Sequence, residues 1–158
     1  MMKKTIAILG EHKGIFPNVM QVLMKQDLRL LFVSEDEAKK LKISRQPEFR
    51  YATAEVEFLS CERDGCWEAD MIVLVDPDTS SASLVEKIKE VATQKIVLVA
   101  SEGKTNKDEP DLRELLPWSK VVEIQLNTVE KEFSLCSNNS EAKAEVKRLF
   151  EASGYQLK

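Results

Sequence analysis

The chain has 158 residues, of which 43% are hydrophobic and 32% are charged, and its formal net charge is −4. A chain of this length buries enough surface to fold without disulfides or metal ions, so we expect a single domain over residues 1–158. The net negative charge, with lysines interleaved among acidic residues, argues against nucleic-acid or anionic-membrane partners.

The cysteines and the N-terminus predict a cytoplasmic protein. Three cysteines, Cys61, Cys66 and Cys136, are an odd number without a dense framework, which is typical of reduced thiols. Four residues separate Cys61 from Cys66, and this is the usual spacing of neither a zinc site nor a redox pair. We therefore expect no metal site and interpret the segment between them as a turn. The five-residue apolar run that follows the N-terminal lysines is too short for a signal peptide or a membrane span.

The first 33 residues predict a strand, a tight turn, a helix and a second strand. Residues 5–9 form a continuous apolar and β-branched run that stops at Gly10, as in a strand buried on both faces. Apolar residues then recur at helical spacing, with Pro17 in the first turn. Residues 28–33 are a second buried run. Together they predict one right-handed βαβ unit.

Helices and strands continue to alternate to the end of the chain. Apolar spacing predicts helices over residues 37–41, 84–92, 112–116 and 142–150. Strands are predicted over residues 54–58, 71–75, 96–100, 121–126, 133–136 and 155–157. We expect residues 54–58 and 155–157 near sheet edges, Ser140 as the N-cap of the last helix and Gly154 as its stop. The fold class is therefore α/β: a three-layer, doubly wound, mostly parallel sheet of the Rossmann-like type.

The turn after the first strand is the main candidate for a phosphate-binding loop. Such sheets bind ligands beyond the carboxyl ends of their strands, where a helix N-terminus offers free N–H groups. The dinucleotide fingerprint there is G-x-G-x-x-G, and this chain has Gly10, Glu11, His12, Lys13, Gly14 and Ile15. The first glycine is present, whereas His12 and Ile15 occupy the other two glycine positions. The segment predicts either a degenerate dinucleotide loop lined by His12 or a Rossmann-like turn that binds no dinucleotide.

Acidic residues follow the second strand, about 25 residues past Gly10, near the place where a carboxylate accepts the ribose hydroxyls of NAD. Ser34 and Glu35 are the residues that we assign to this role, whereas an arginine there would suit the extra phosphate of NADP. The alternative is that Ser34 caps the next helix and that Glu35 complements its dipole. Both interpretations can hold at once.

The residue pattern alone does not decide the roles of two further groups of residues. Asp76 and Asp78, which flank Pro77, could perform acid–base chemistry or hold a cation, but such residues more often cap a helix. Trp67 and Trp118 could be core residues or interface anchors.

Four segments, in order, resemble the NADP oxidoreductases that use a deazaflavin coenzyme. Residues 4–10, KTIAILG, resemble the family's first strand and glycine, and residues 71–77, MIVLVDP, resemble its fourth strand and the proline-containing turn over the cofactor. Residues 115–128 resemble a leucine–proline turn, a strand and an Asn-Thr pair near the nicotinamide. Residues 137–155 resemble the last helix and strand.

The resemblance implies roles for residues that the pattern alone does not assign. Val75, Asp76 and Pro77 would lie along the middle of the cofactor, and Asn127 would hydrogen-bond the nicotinamide carboxamide. The alternative for Asn127 is a turn in which it satisfies its own backbone. The family's Ser-Arg pair stands here as Ser34-Glu35, so the resemblance implies NADP whereas the acidic Glu35 favours NAD.

The expected function is an NAD(P)-binding oxidoreductase domain that transfers a hydride to or from a nicotinamide cofactor. No residue stands out as an obligatory acid or base. The alternative is a non-catalytic Rossmann-like module that binds a nucleotide, CoA or a protein partner, because fold alone does not fix function. A complete substrate pocket in so short a chain would need a second subunit, so we expect a homodimer.

Overall fold

The computed structural model describes residues 3–10, 16–34, 36–45, 52–75, 81–101 and 112–158. In these ranges the strands are β1 (Lys4–Gly10), β2 (Leu28–Val33), β3 (Glu55–Leu59), β4 (Met71–Val75), β5 (Ile96–Ser101), β6 (Lys120–Asn127), β7 (Glu132–Cys136) and β8 (Gln156–Leu157). The helices are α1 (Phe16–Met24), α2 (Glu37–Ser44), α3 (Glu62–Glu68), α4 (Ser81–Ile88), α5 (Leu112–Leu115) and α6 (Ser140–Glu151).

The described strands form one sheet in the order β3-β2-β1-β4-β5-β6-β7-β8. The strands from β1 to β6 pair in parallel, β7 is antiparallel to β6, and β8 is parallel to β7. The order 3-2-1-4-5-6 is that of the doubly wound dinucleotide-binding fold. The predicted α/β class with a mostly parallel sheet is confirmed, and so are the edge positions of β3 and β8.

Two hydrophobic layers cover the two faces of the sheet. Successive residues of a strand point to opposite faces, so Ile6 and Ile8 of β1 lie in one layer and Ala7 and Leu9 in the other. The first layer contains the apolar faces of α1 and α6, and the second contains those of α3, α4 and α5. Because both faces are covered, the central strands are continuous apolar runs in the sequence.

The segment between Cys61 and Cys66 forms part of a helix, so the predicted turn is wrong. Gly65, which suggested the turn, lies inside α3, where a Cβ atom would be 2.6 Å from Cγ2 of Val33. The glycine therefore allows the helix to lie close to β2. Glu62 and Asp64 in the first turn of α3 complement the positive end of the helix dipole.

The N-cap of α6 is Asn139, so the predicted cap Ser140 is also wrong. The Asn139 Oδ1 atom accepts a hydrogen bond of 2.9 Å from the Ala142 N–H, and Ser140 is the first residue of the helix. Asparagine and serine are about equally good caps, so the sequence does not distinguish between neighbours. Beyond the end of α6, Gly154 adopts a φ of +91°. None of the described helices has the length and apolar character of a membrane span.

Replacing Asn139 with alanine should lower the free energy of unfolding by about 1 kcal/mol, because the Ala142 N–H loses its acceptor. Replacing Ser140 with alanine is the matched control and should change it by less than about 0.5 kcal/mol. Urea denaturation of the two variants measures both values. Equal losses would contradict the assignment of the cap.

Candidate functional site

The sheet has its topological switch point between β1 and β4. The chain leaves β1 toward β2 on one side and returns from β3 to β4 on the other, which opens a crevice at the carboxyl ends of these strands. Gly10, the last residue of β1, pairs with Val75, the last residue of β4. The structure thus brings together two residues that the sequence analysis selected separately.

Gly10 cannot be replaced by a larger residue without displacing β4. Its φ is +112°, a conformation that L side chains rarely adopt. A Cβ atom there would overlap the Val75 carbonyl oxygen and would lie 3.0 Å from the Val75 nitrogen. The Val75 side chain is fully buried, so this residue offers the crevice its backbone and not its side chain.

A lysine that the sequence analysis did not select lies at this crevice. Lys39, a partly exposed residue of α2, donates a hydrogen bond of 2.8 Å from its Nζ to the Gly10 carbonyl oxygen. The contact joins residues 29 positions apart, so no local sequence pattern predicts it. The only sequence signal is a lysine in the first turns of the helix that follows β2. Its effect is to place a positive charge beside the end of β1.

Asp36, and not Ser34, caps α2, which corrects the alternative role considered for Ser34. The Asp36 Oδ1 atom accepts a hydrogen bond of 3.2 Å from the Lys39 N–H. The Ser34 Oγ atom accepts one of 3.1 Å from the Asp36 N–H. The Ser34 N–H also donates to the Leu59 carbonyl oxygen at 3.0 Å and so extends the pairing of β2 with β3. Ser34 therefore lies at the carboxyl edge of the sheet, one strand from Gly10.

The second acidic residue of α2 is held by a lysine. The Glu37 Oε1 atom lies 2.7 Å from Nζ of Lys40, which also donates to the Ser60 Oγ atom at 2.5 Å. The hydrogen bond from Lys40 lowers the pKa of the Glu37 carboxyl group. The carboxylates of Asp36 and Glu37 thus stabilise α2 and its junction with β3.

Asn127 lies at the same edge, at the end of β6, and its side chain already has backbone partners. Its Oδ1 atom accepts hydrogen bonds from the Val129 N–H at 3.2 Å and from the Glu130 N–H at 3.1 Å. This is the turn that the sequence analysis considered as the alternative role. A cavity of about 380 Å³ lies beside it, and the polar side chains of Gln125, Glu132 and Ser134 contribute to its wall. That volume is at the lower end of the range for small-molecule pockets.

The remaining predicted site residues lie outside the described residues. They are Glu11, His12, Lys13, Gly14, Ile15, Glu35, Asp76 and Pro77, and Asp78 is also outside. Within the described ranges, no group of three His, Cys, Asp or Glu side chains could hold a metal ion. Cys66 is buried, and burial raises the pKa of its thiol to about 12, so the thiol stays protonated at neutral pH.

Comparison with solved structures agrees with this architecture. A protein from Arthrobacter sp. FB24, provisionally described as an F420-dependent NADP reductase, has a TM-score of 0.69 and 17% identity over 96% of this chain. Plasmodium falciparum pyrroline carboxylate reductase with NADP bound has a TM-score of 0.68 and 15% identity over 98% of it. Mycobacterium tuberculosis 3-hydroxyisobutyrate dehydrogenase has a TM-score of 0.69 and 11% identity over 99% of it.

These similarities establish the fold. The chain covers 82% of the Arthrobacter protein, but only 56% of the reductase and 54% of the dehydrogenase. No family model matches the sequence. A search of curated proteins finds no match either. The chain therefore has the Rossmann-like fold of NAD(P)-dependent reductases and dehydrogenases, with F420-dependent NADP reductase among its structural neighbours.

Proposed function

We propose that this chain binds a nicotinamide dinucleotide across the carboxyl edge of its sheet and acts as an oxidoreductase domain. The observation that carries the proposal is Gly10, which ends β1 with a positive φ, against the Val75 backbone and at the switch point of a 3-2-1-4-5-6 sheet. A glycine in this place makes the tight turn after the first strand of dinucleotide-binding domains. The structural neighbours support this choice of ligand.

In this proposal, successive parts of the cofactor lie at the carboxyl ends of different strands. The loop from Gly10 to Ile15 holds the pyrophosphate, and Val75, Asp76 and Pro77 contact the middle of the cofactor. The adenosine lies over Ser34 and Glu35, and the nicotinamide lies near Asn127. Three strand spacings, about 14 Å in total, separate β1 from β6. The two halves of a dinucleotide occupy the two halves of such a sheet.

The contacts of α2 favour NADP over NAD. Its described acids, Asp36 and Glu37, are engaged in capping the helix and in the ion pair with Lys40. The Lys39 amine, in contrast, lies beside the Gly10 carbonyl oxygen and can exchange this acceptor for a phosphate. A hydrogen bond from an ammonium group to a phosphate is stronger than one to a neutral carbonyl. We therefore assign Lys39 to the 2′-phosphate of NADP.

A bound nicotinamide supplies the hydride, and the chain supplies binding and orientation. Because Oδ1 of Asn127 holds its own turn, the Nδ2 group is the part of this side chain that would donate to a carboxamide oxygen. The turn would fix the direction of that donor before the cofactor binds. The adjoining cavity of about 380 Å³ would then receive the hydride donor or acceptor.

The second candidate is a nucleotide-binding module without hydride transfer. The observation that favours it is the same pair of hydrogen bonds at Asn127, because they give this side chain a structural role that needs no nicotinamide. CoA is the competing ligand, since it shares the adenine nucleotide. Loss of NADPH absorbance after addition of a deazaflavin or quinone acceptor would support the oxidoreductase, and stable NADPH under the same conditions would support the module.

Calorimetric titration with NADPH, NADH and CoA tests which ligand the chain prefers. We expect NADPH to bind with a micromolar dissociation constant and NADH to bind about 10-fold more weakly or worse. A folded protein that binds CoA most tightly, or none of the three, would contradict the proposal.

A further inference from the structure

Lys40 is a buried lysine that the proposed function does not use. It is 9% exposed, and it and Ile43 are the two buried residues of α2, all of whose residues the structure describes. Its Nζ atom lies 2.7 Å from the Glu37 Oε1 atom and donates to the Ser60 Oγ atom at 2.5 Å. A buried ammonium group is costly unless it is paired in this way. The burial of Lys40 therefore depends on Glu37 and Ser60.

The apolar residues of α2 do not define one buried face. Successive residues of an α-helix are about 100° apart, so Leu41 and Ile43 lie about 160° apart around the helix axis and cannot both face the sheet. The structure buries Ile43, which is 4% exposed, and leaves Leu41 52% exposed. Burial stabilises leucine and isoleucine about equally. Apolar burial alone therefore does not choose between a helix rotated toward Ile43 and one rotated toward Leu41.

The hydrogen bonds of Lys40 select the observed rotation. Ser60 follows the edge strand β3, so this contact ties α2 to the carboxyl end of β3. The adjacent Lys39 extends the other way, to the Gly10 carbonyl oxygen at the end of β1. Because β2 lies between β1 and β3, the two lysines hold α2 on both sides of the end of β2. A rotation that brought Leu41 to the sheet would carry Lys40 away from Ser60 and Lys39 away from Gly10.

We propose that Lys40 is a positioning residue: through Glu37 and Ser60 it holds α2 in the rotation that directs Lys39 to the crevice, and it thereby contributes to the preference for NADP. The contribution to NADP preference rests on the proposed function, whereas the contact between Lys39 and Gly10 does not. A buried ion pair often adds little net stability, and fixing one of two alternative arrangements is its best-attested use.

NMR of the protein without ligand tests the position of α2. Lys40→Ala removes the amine and introduces a good helix former. We expect the Leu41 methyl groups to become protected from a soluble paramagnetic probe, because Leu41 moves toward the sheet. The Gly10 carbonyl carbon signal should shift as it does in Lys39→Gln, because the same hydrogen bond is lost. Lys42→Ala is the matched control: Lys42 is exposed on the same helix, and its replacement should change neither signal.

Calorimetric titration connects this position to the cofactor. We expect Lys40→Ala to weaken NADPH binding about 5- to 20-fold and NADH binding less than about 3-fold. In a Lys39→Gln background, Lys40→Ala should weaken NADPH binding by less than about 2-fold further, because a residue that acts through Lys39 is not additive with it. A merely structural role would instead weaken both cofactors, with or without Lys39. Lys42→Ala should leave both affinities within about 3-fold of the wild type.

Ser60 provides a second pair of variants that leave Lys40 in place. Ser60→Ala removes the acceptor and should weaken NADPH binding about 3- to 10-fold. Ser60→Thr keeps the hydroxyl group and should restore the wild-type affinity. Thermal melting checks that all variants fold.

The two kinds of measurement separate this proposal from the proposed function. A wild-type protein that binds no NADPH would contradict the proposed function, and the Leu41 and Gly10 signals would still decide the position of α2. Unchanged Leu41 and Gly10 signals in Lys40→Ala would overturn the positioning role. So would an NADPH affinity that Lys40→Ala leaves unchanged, or lowers equally with and without Lys39.

Discussion

Replacing Gly10 with alanine is expected to lower the free energy of unfolding by about 2–4 kcal/mol and to weaken dinucleotide binding more than 10-fold. Two physical costs add in the folded protein: the positive φ disfavours an L side chain by about 1–2 kcal/mol, and overpacking against β4 costs about 1–3 kcal/mol. The overlap is with backbone atoms of Val75, which cannot rotate away as a side chain could. Displacement of Val75 widens the crevice where the pyrophosphate would lie.

Gly154 provides a matched control for this substitution. Its φ is +91°, but no other atom lies within 4 Å of the position of a Cβ. Gly154→Ala should therefore show the cost of the conformation alone, about 1 kcal/mol, with dinucleotide binding unchanged. Urea denaturation and calorimetric titration measure the two quantities separately. A Gly10→Ala protein that loses stability but binds NADPH like the wild type would place the cofactor elsewhere.

Replacing Lys39 with glutamine is expected to weaken NADPH binding about 10- to 100-fold, which corresponds to the loss of a charge-assisted hydrogen bond. NADH binding should change less than about 3-fold, because NADH lacks the 2′-phosphate. Comparing NADPH with NADH shows whether the Lys39 amine contacts the 2′-phosphate, which only NADPH has, or the pyrophosphate, which both cofactors have. An equal loss for both would mean that Lys39 contacts the shared pyrophosphate, and the assignment to NADP would then be wrong.

Lys42→Gln is the matched control for Lys39→Gln. Lys42 is exposed on the same helix and has the same charge, but it lies about one turn further from the capped end. It should leave both affinities within about 3-fold of the wild type, so that a general effect of net charge can be separated from a local contact. Titrations at two salt concentrations strengthen the comparison, since screening weakens any long-range contribution.

The sheet could be predicted from the sequence because its central strands are buried on both faces. A short continuous apolar run between helical segments, such as residues 71–75, predicts a buried strand of a parallel sheet. The structure confirms this strand with the same bounds. Helix ends were harder to predict. Asn139 and Ser140, like Ser34 and Asp36, are adjacent or nearly adjacent good caps, and the choice depends on where the first turn packs.

The errors and omissions at the site have tertiary causes. Gly65 resembles a turn residue, but it permits close packing of α3 against Val33, a contact between distant segments. The hydrogen bond from Lys39 to Gly10 depends on how α2 lies relative to β1. The sequence around Asn127 is compatible both with a nicotinamide contact and with a turn that satisfies its own backbone. Only the folded structure shows its hydrogen bonds to the following turn. Local patterns carry no information of this kind.

The most direct test of the central claim is to follow the backbone amide NMR signals of the full chain during titration with NADPH. A dinucleotide bound at the switch point should cause the largest shifts at the carboxyl edge, at Gly10, Ser34, Val75 and Asn127, and little change at Trp118 on the opposite edge. Shifts confined to the amino-terminal edge, or no shifts at millimolar NADPH, would contradict a dinucleotide site at the switch point.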